Sequence, residues 1–122
     1  MAEHNECGAT GENLATIYLK EKGYTILETN WRHRNLEADI IAVNSGILIV
    51  AEVKTRTSNY FGDPETFVTK QKQANLRKAA NGYIQQKQMD LEVRFDIISI
   101  ILDKTGDKTT INHIENAFLF GN

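Results

Sequence analysis

Asp39 and the triplet Glu52-Val53-Lys54 are the residues of this 122-residue chain best equipped for chemistry. Both stand in apolar, strand-like company. Glu37-Ala38-Asp39-Ile40-Ile41-Ala42-Val43 is followed, after Asn44-Ser45-Gly46, by Ile47-Leu48-Ile49-Val50-Ala51-Glu52-Val53-Lys54. Two such runs joined by so short a turn predict an antiparallel hairpin. Acids and a lysine among Ile and Val are costly unless they pair or serve a site. Side chains alternate along a strand, so Glu52 and Lys54 share a face of one strand and Glu37 and Asp39 share a face of the other. If the hairpin brings Asp39 and Glu52 together, two carboxylates meet with an ammonium beside them. A Mg²⁺ or Mn²⁺ ion takes hard oxygen donors of this kind and keeps several waters. Such an ion lowers the pKa of a bound water and neutralises charge developing on a phosphate. Lys54 would orient that water or act as a point charge at the phosphate.

The elements that must position these residues are legible from periodicity. Residues 11–22 read as a helix, with Leu14, Ala15, Tyr18 and Leu19 at helical spacing and Gly23 as the stop. A strand follows over 24–31, then the hairpin strands over 37–43 and 47–55. Residues 56–67, with Gly62 and the only proline, Pro64, read as a loop. A long helix is predicted over 69–86, with Leu76, Ala79, Ala80 and Tyr83 as its inner stripe. Strands over 92–102 and 110–114 close the chain around a turn at 103–109. The order α-β-β-β-α-β-β predicts a single α/β domain with a mixed sheet and helices on its faces, residues 1–9 forming a polar leader.

Other polar residues divide between site and surface. Glu12 lies three residues before Ala15 and seven before Leu19, on the stripe that faces the sheet. A carboxylate in a first helical turn is also favoured by the helix dipole, by roughly 0.3–1 kcal/mol. Taken with Asp39, Glu52 and Lys54, it is expected to join the site. Lys72, near the start of the second helix and on its inner side, opposes the dipole, so binding a phosphate is a better account of it. Arg56 shares the face of Lys54, and both phosphate contact and a surface role fit it. Trp31-Arg32-His33-Arg34 is a basic, aromatic-led patch, and Lys70, Lys72, Arg77 and Lys78 form a basic cluster. Asp96, inside an apolar strand, is expected to pair with Arg94 or brace the core. The three histidines, His4, His33 and His113, form no zinc-ligand spacing.

Composition bounds the rest. The formal charge is −2, so any nucleic-acid-binding surface must be local. The single cysteine, Cys7, excludes an internal disulfide and a cysteine-based zinc cluster. No apolar run approaches the ~20 residues of a membrane helix, and no secretory signal opens the chain. The expectation is a cytoplasmic protein without membrane contact.

The chain carries Gly11-Glu12 with Ala15 and Leu19, Gly23-Tyr24, Asn30-Trp31-Arg32, Glu37-Ala38-Asp39, Glu52-Val53-Lys54-Thr55-Arg56, Phe61-Gly62, Val68 with Lys72, Arg94-Phe95-Asp96 and Ile114-Glu115-Asn116-Ala117-Phe118. Together these motifs resemble the YraN family of endonuclease-like bacterial proteins. The similarity runs from about Gly8 to Phe118. It implies a restriction-endonuclease-like fold of the PD-(D/E)XK superfamily, related to Holliday junction resolvases. It carries over Glu12, Asp39, Glu52 and Lys54 as the catalytic set, with Glu12, Asp39 and Glu52 holding Mg²⁺ or Mn²⁺. Lys72 enters as an accessory and Glu37 as a lesser partner. Lys72, Arg56, Arg32 and Arg34 are then the expected nucleic-acid contacts. The expected function is metal-dependent hydrolysis of DNA phosphodiesters, with branched or repair intermediates among the candidate substrates. Apart from the resemblance, small nucleases of this size often dimerise to meet a two-fold junction, so a homodimer is a candidate assembly. The alternative on the same fold is a nucleic-acid-binding or DNA-repair accessory module that does not cut.

Overall fold

A computed structural model of the chain describes residues 3–57, 68–103 and 108–119. Its elements are α1 (Glu3–Glu21), β1 (Thr25–His33), β2 (Leu36–Asn44), β3 (Ile47–Thr57), α2 (Lys70–Lys87), β4 (Glu92–Leu102) and β5 (Thr109–Phe118). The β2–β3 turn is reduced to Ser45-Gly46, both at positive φ (52° and 76°). Two consecutive positive φ values match the right-handed twist of the flanking strands, so the turn sets one register. Asn44 pairs with Ile47, and the ladder runs back to Ile40 opposite Ala51.

The sheet order is β1-β2-β3-β4-β5. Every neighbouring pair is antiparallel except β3 and β4, which run parallel along their whole length. A parallel pair needs a crossover, and α2 lies in that connection. The two helices cover opposite faces. Leu48, Val50, Ile41, Phe95 and Ile97 pack with Leu76, Ala80 and Tyr83 of α2. Ile49, Ala51, Ile40, Ala42, Ile98 and Ile100 pack with Ala15 and Leu19 of α1. This explains why the hairpin is apolar at both parities: its strands are buried from both sides.

The α1 face also carries a buried polar node. Asp96, 1% exposed, accepts two bonds from the Arg94 guanidinium (2.8 Å each), one from the Asn116 N–H (3.0 Å), and meets His113 Nε2 at 2.7 Å. Burial alone would raise its pKa, but the bonds from His113, Arg94 and Asn116 hold it below the ordinary carboxylate value. His113 Nδ1 meets the Tyr18 hydroxyl of α1 at 3.1 Å, and Arg94 donates to the Tyr24 hydroxyl at 2.8 Å. The node therefore ties the end of α1 to β4 and β5.

Several boundaries differ from expectation, among them β1, which runs on to His33 and not to Trp31, and β2, which runs on to Asn44 and not to Val43. α1 begins at Glu3 and not at Gly11, so the residues expected as a leader include its first turns. β3 continues through Arg56 and Thr57, because the parallel partner β4 offers Ile101 and Leu102 at that level. β5 runs to Phe118 and not to Ile114. Its polar Glu115-Asn116 step reads as an ending, but Asn116 takes a left-handed φ of 55° at a bulge and Phe118 pairs with Phe95 beyond it. Phe61-Gly62, Pro64 and Gly106 lie outside the described residues.

Replacing Asp96 by alanine leaves the half-buried Arg94 guanidinium and the buried His113 ring without their common acceptor. The expected loss is roughly 3–5 kcal/mol of folding stability, read by urea denaturation. A change below about 1 kcal/mol would show that the node does not brace the fold.

Candidate functional site

The register of the hairpin decides where the acids meet. Ile40 opposite Ala51 is the last ladder pair, and one further step places Asp39 opposite Glu52. Glu52 continues the stripe of Leu48 and Val50 that faces α2 and meets Lys72 of that helix. The strands no longer pair there. The Val53 N–H instead donates to Asp39 Oδ2 at 2.8 Å, so a carboxylate takes over a bond at the ladder's end. On the β1 side, Thr29 pairs with Ile40 and Trp31 with Ala38, which brings Asn30 level with Asp39.

Glu52 is the electrostatic centre. It is 4% exposed. Lys54 Nζ lies 3.5 Å and Lys72 Nζ 3.6 Å from its Oε2. Its Oε1 is buried without a hydrogen-bond partner. Burial, then the Asp39 charge, outweigh the two lysines and push its pKa up to about 7. Asp39 and Glu52 are near enough to share a hydrogen bond, which requires a proton on one of them.

Glu12 approaches Asp39 from the α1 side. Its pKa is raised by burial and then by the charge of Asp39, while a hydrogen bond with Asn30 works the other way. Gly11 lets the helix come this close: a Cβ there would run into the Thr55 hydroxyl of β3. Asn30 is the residue that periodicity missed. It takes a left-handed φ of 50°, which Asn tolerates, and its only advance signal was its place in the Asn30-Trp31-Arg32 motif.

The structure disperses the basic clusters. Arg32 Nε pairs with Glu37 at 3.1 Å, both largely exposed, an interaction worth roughly 0.2–1 kcal/mol. Arg34 is exposed in the β1–β2 turn, with a φ of 59°. Trp31 stacks on His33 and sits edge-on to Tyr83 of α2. Arg56 donates to the Thr55 carbonyl at 2.8 Å. Along α2, Lys72 is drawn to Glu52 and Arg77 donates to the Leu119 carbonyl, while Lys70 and Lys78 are exposed.

The family model described as "Uncharacterised protein family UPF0102" matches residues 11–100. The chain belongs to this family. It is the YraN family of the sequence resemblance. The UPF0102 protein of Christiangramia forsetii is 51% identical over 120 residues, covering 98% of this chain and 99% of its own length. The Flavobacterium psychrophilum protein is 48% identical over 118 residues, covering 97% and 98%. That of Phocaeicola vulgatus is 47% identical over 118 residues, covering 97% and 96%.

In this UPF0102 chain the acids fit a two-carboxylate cation site better than a cage. Among the described residues no three His, Cys, Asp or Glu side chains stand together as metal ligands, so Glu12 is not gathered with Asp39 and Glu52. The opposed pair does suit a hard cation. Its oxygens are the right donors, its charges repel, and one buried oxygen lacks any partner.

The raised Glu52 pKa has a definite sign. The folded state holds the proton more tightly than the unfolded chain, whose value is the ordinary 4.5. The stability this confers is complete below that value and is lost as pH rises through about 7. In chelator, Glu52→Gln should therefore gain on wild type between about pH 5 and pH 8, by roughly 1–3 kcal/mol in urea unfolding. A constant difference across that range would contradict the assignment.

Proposed function

We propose that this protein is a Mg²⁺- or Mn²⁺-dependent endonuclease that hydrolyses DNA phosphodiester bonds. The observation that carries the reading is the opposition of Asp39 and Glu52 at the end of the β2–β3 ladder, with Lys54 and Lys72 on Glu52. Asp39 and Glu52 would hold the cation. When bound, a divalent ion there supplies a water of lowered pKa and positive charge facing the phosphate. Lys54, partly exposed beside Glu52, offers an ammonium to a phosphate oxygen or to the attacking water. Glu12, whose pKa is raised by burial and then by the Asp39 charge, would accept or return a proton beside Asp39. The Val53 N–H keeps the Asp39 carboxylate oriented throughout.

Branched and repair-type DNA is the substrate class this reading favours, with the cytoplasm as the compartment. Among the described residues no helix is long and apolar enough to cross a membrane. A module that binds nucleic acid without cutting is the rival. The exposed Lys70 and Lys78 of α2 would serve it equally well.

Two measurements separate these readings. Pure protein with Mg²⁺ or Mn²⁺ should nick branched or nicked DNA, and chelator should abolish the activity. Asp39→Asn and Glu52→Gln should each cost on the order of 10²–10³-fold, the scale of losing one electrostatic stabiliser. Salt-sensitive binding that survives in both variants, without cleavage of any substrate, would favour the accessory module. Independently of cleavage, Mg²⁺ should raise the melting temperature more at about pH 8 than at about pH 6. The ion must displace the proton from Glu52. Equal shifts at the two pH values would argue against Glu52 as a ligand.

A further inference from the structure

The fold treats the two oxygens of Glu52 differently. Oε2 receives both ammoniums, at 3.5 Å from Lys54 and 3.6 Å from Lys72. Oε1 is buried, and among the described residues it is the one buried side-chain oxygen or nitrogen without a hydrogen-bond partner. Neither lysine pairs with Asp39 among the described residues. The cationic side chains therefore gather on one oxygen and leave the other without a cation.

Lys54 reaches Oε2 from two residues along the same strand, but Lys72 comes from α2. Its place there is unfavourable by itself. Thr69 caps the helix, and its hydroxyl accepts the Lys72 N–H at 3.1 Å, which puts Lys72 in the first turn. A cation in that turn opposes the helix dipole, and no acid shares the turn to offset it. Glu52 is the group the ammonium touches, so the compensation lies across the helix–sheet interface.

We infer that Lys72 is a positioning residue, not a phosphate contact: it holds Glu52 by Oε2 so that Oε1 is the oxygen presented to the cation. This rests on the metal reading above and deepens it. A carboxylate restrained by one oxygen loses its freedom to rotate, and the remaining oxygen is delivered in one orientation. Lys72 acts through Glu52 before any nucleic acid arrives, and it couples the seating of α2 to the state of the site. An ammonium standing in for the cation would instead lie against the bare oxygen or bridge Glu52 to Asp39. Outer partners that orient a metal-binding side chain are worth about 10–100-fold in affinity.

The test is Mg²⁺ affinity by titration calorimetry, without nucleic acid, at about pH 8.5. At that pH the loss of an ammonium acts little through the protonation of Glu52. Lys72→Met should bind Mg²⁺ at least about 10-fold more weakly, with native far-UV circular dichroism. Lys72→Arg, which restores a cation on Oε2, should recover most of the loss. If Lys72→Met does not fold, Lys72→Gln replaces it under the same criteria. Unchanged affinity in the neutral variant would overturn the assignment, because Lys72 would then be structural only. Tighter binding would also overturn it, because Lys72 would then compete with the cation. Absence of Mg²⁺ binding by the wild type is a separate result, which removes the metal reading itself.

Discussion

Two carboxylates face each other across neighbouring strands, and much of the structure answers to that. Like charges directly opposite in a sheet destabilise it. Here one of them, Glu52, is also almost wholly removed from water. The fold meets the cost piecemeal. A backbone N–H goes to Asp39, two ammoniums go to one oxygen of Glu52, and Asn30 serves the nearby Glu12. The compensation is incomplete, since Glu52 still favours its proton up to about pH 7 and keeps one oxygen unpartnered. Native interiors contain few such groups, and each one asks for a reason.

The two faces of the sheet divide the labour. On one side α2 closes the larger apolar cluster and brings Lys72 to Glu52. On the other, α1 is located twice. Gly11 lies against Thr55, and Tyr18 is held at the Asp96 node through His113. Glu12 stands next to the first of these anchors. The node is fully bonded at Asp96, so it contributes rigidity, in contrast to the opposed pair, whose bonding is unfinished.

The order of elements and the hairpin were legible because each rests on local rules. Apolar periodicity separated helices from strands, and the short Asn44-Ser45-Gly46 connection marked a hairpin, but the register was set by the structure, in which Asn44 pairs with Ile47 and the turn is Ser45-Gly46 alone. Once the register is known, the opposition of residues 39 and 52 follows by counting. The inner stripe of α2 was equally plain, because helical spacing selects Leu76, Ala79, Ala80 and Tyr83. Strand ends were less legible. Arg56, Thr57 and the Glu115–Phe118 stretch stay extended because a distant strand supplies partners, which no local pattern encodes.

The sequence alone determined which residues carry charge into apolar strands and which of them alternate to one side of a strand, because apolar patterning and backbone alternation are local properties. Tertiary structure alone decided the rest. It drew Lys72 onto Glu52, turned Arg32 to Glu37 while Trp31 packs on His33 and Tyr83, set Asn30 beside Glu12, and joined His113 to Asp96 across β4 and β5. These pairings depend on which strands become neighbours and which helix covers each face. Such contacts between residues far apart in the chain arise only when the whole sheet is assembled, and only then is the burial that shifts Glu52 present at all.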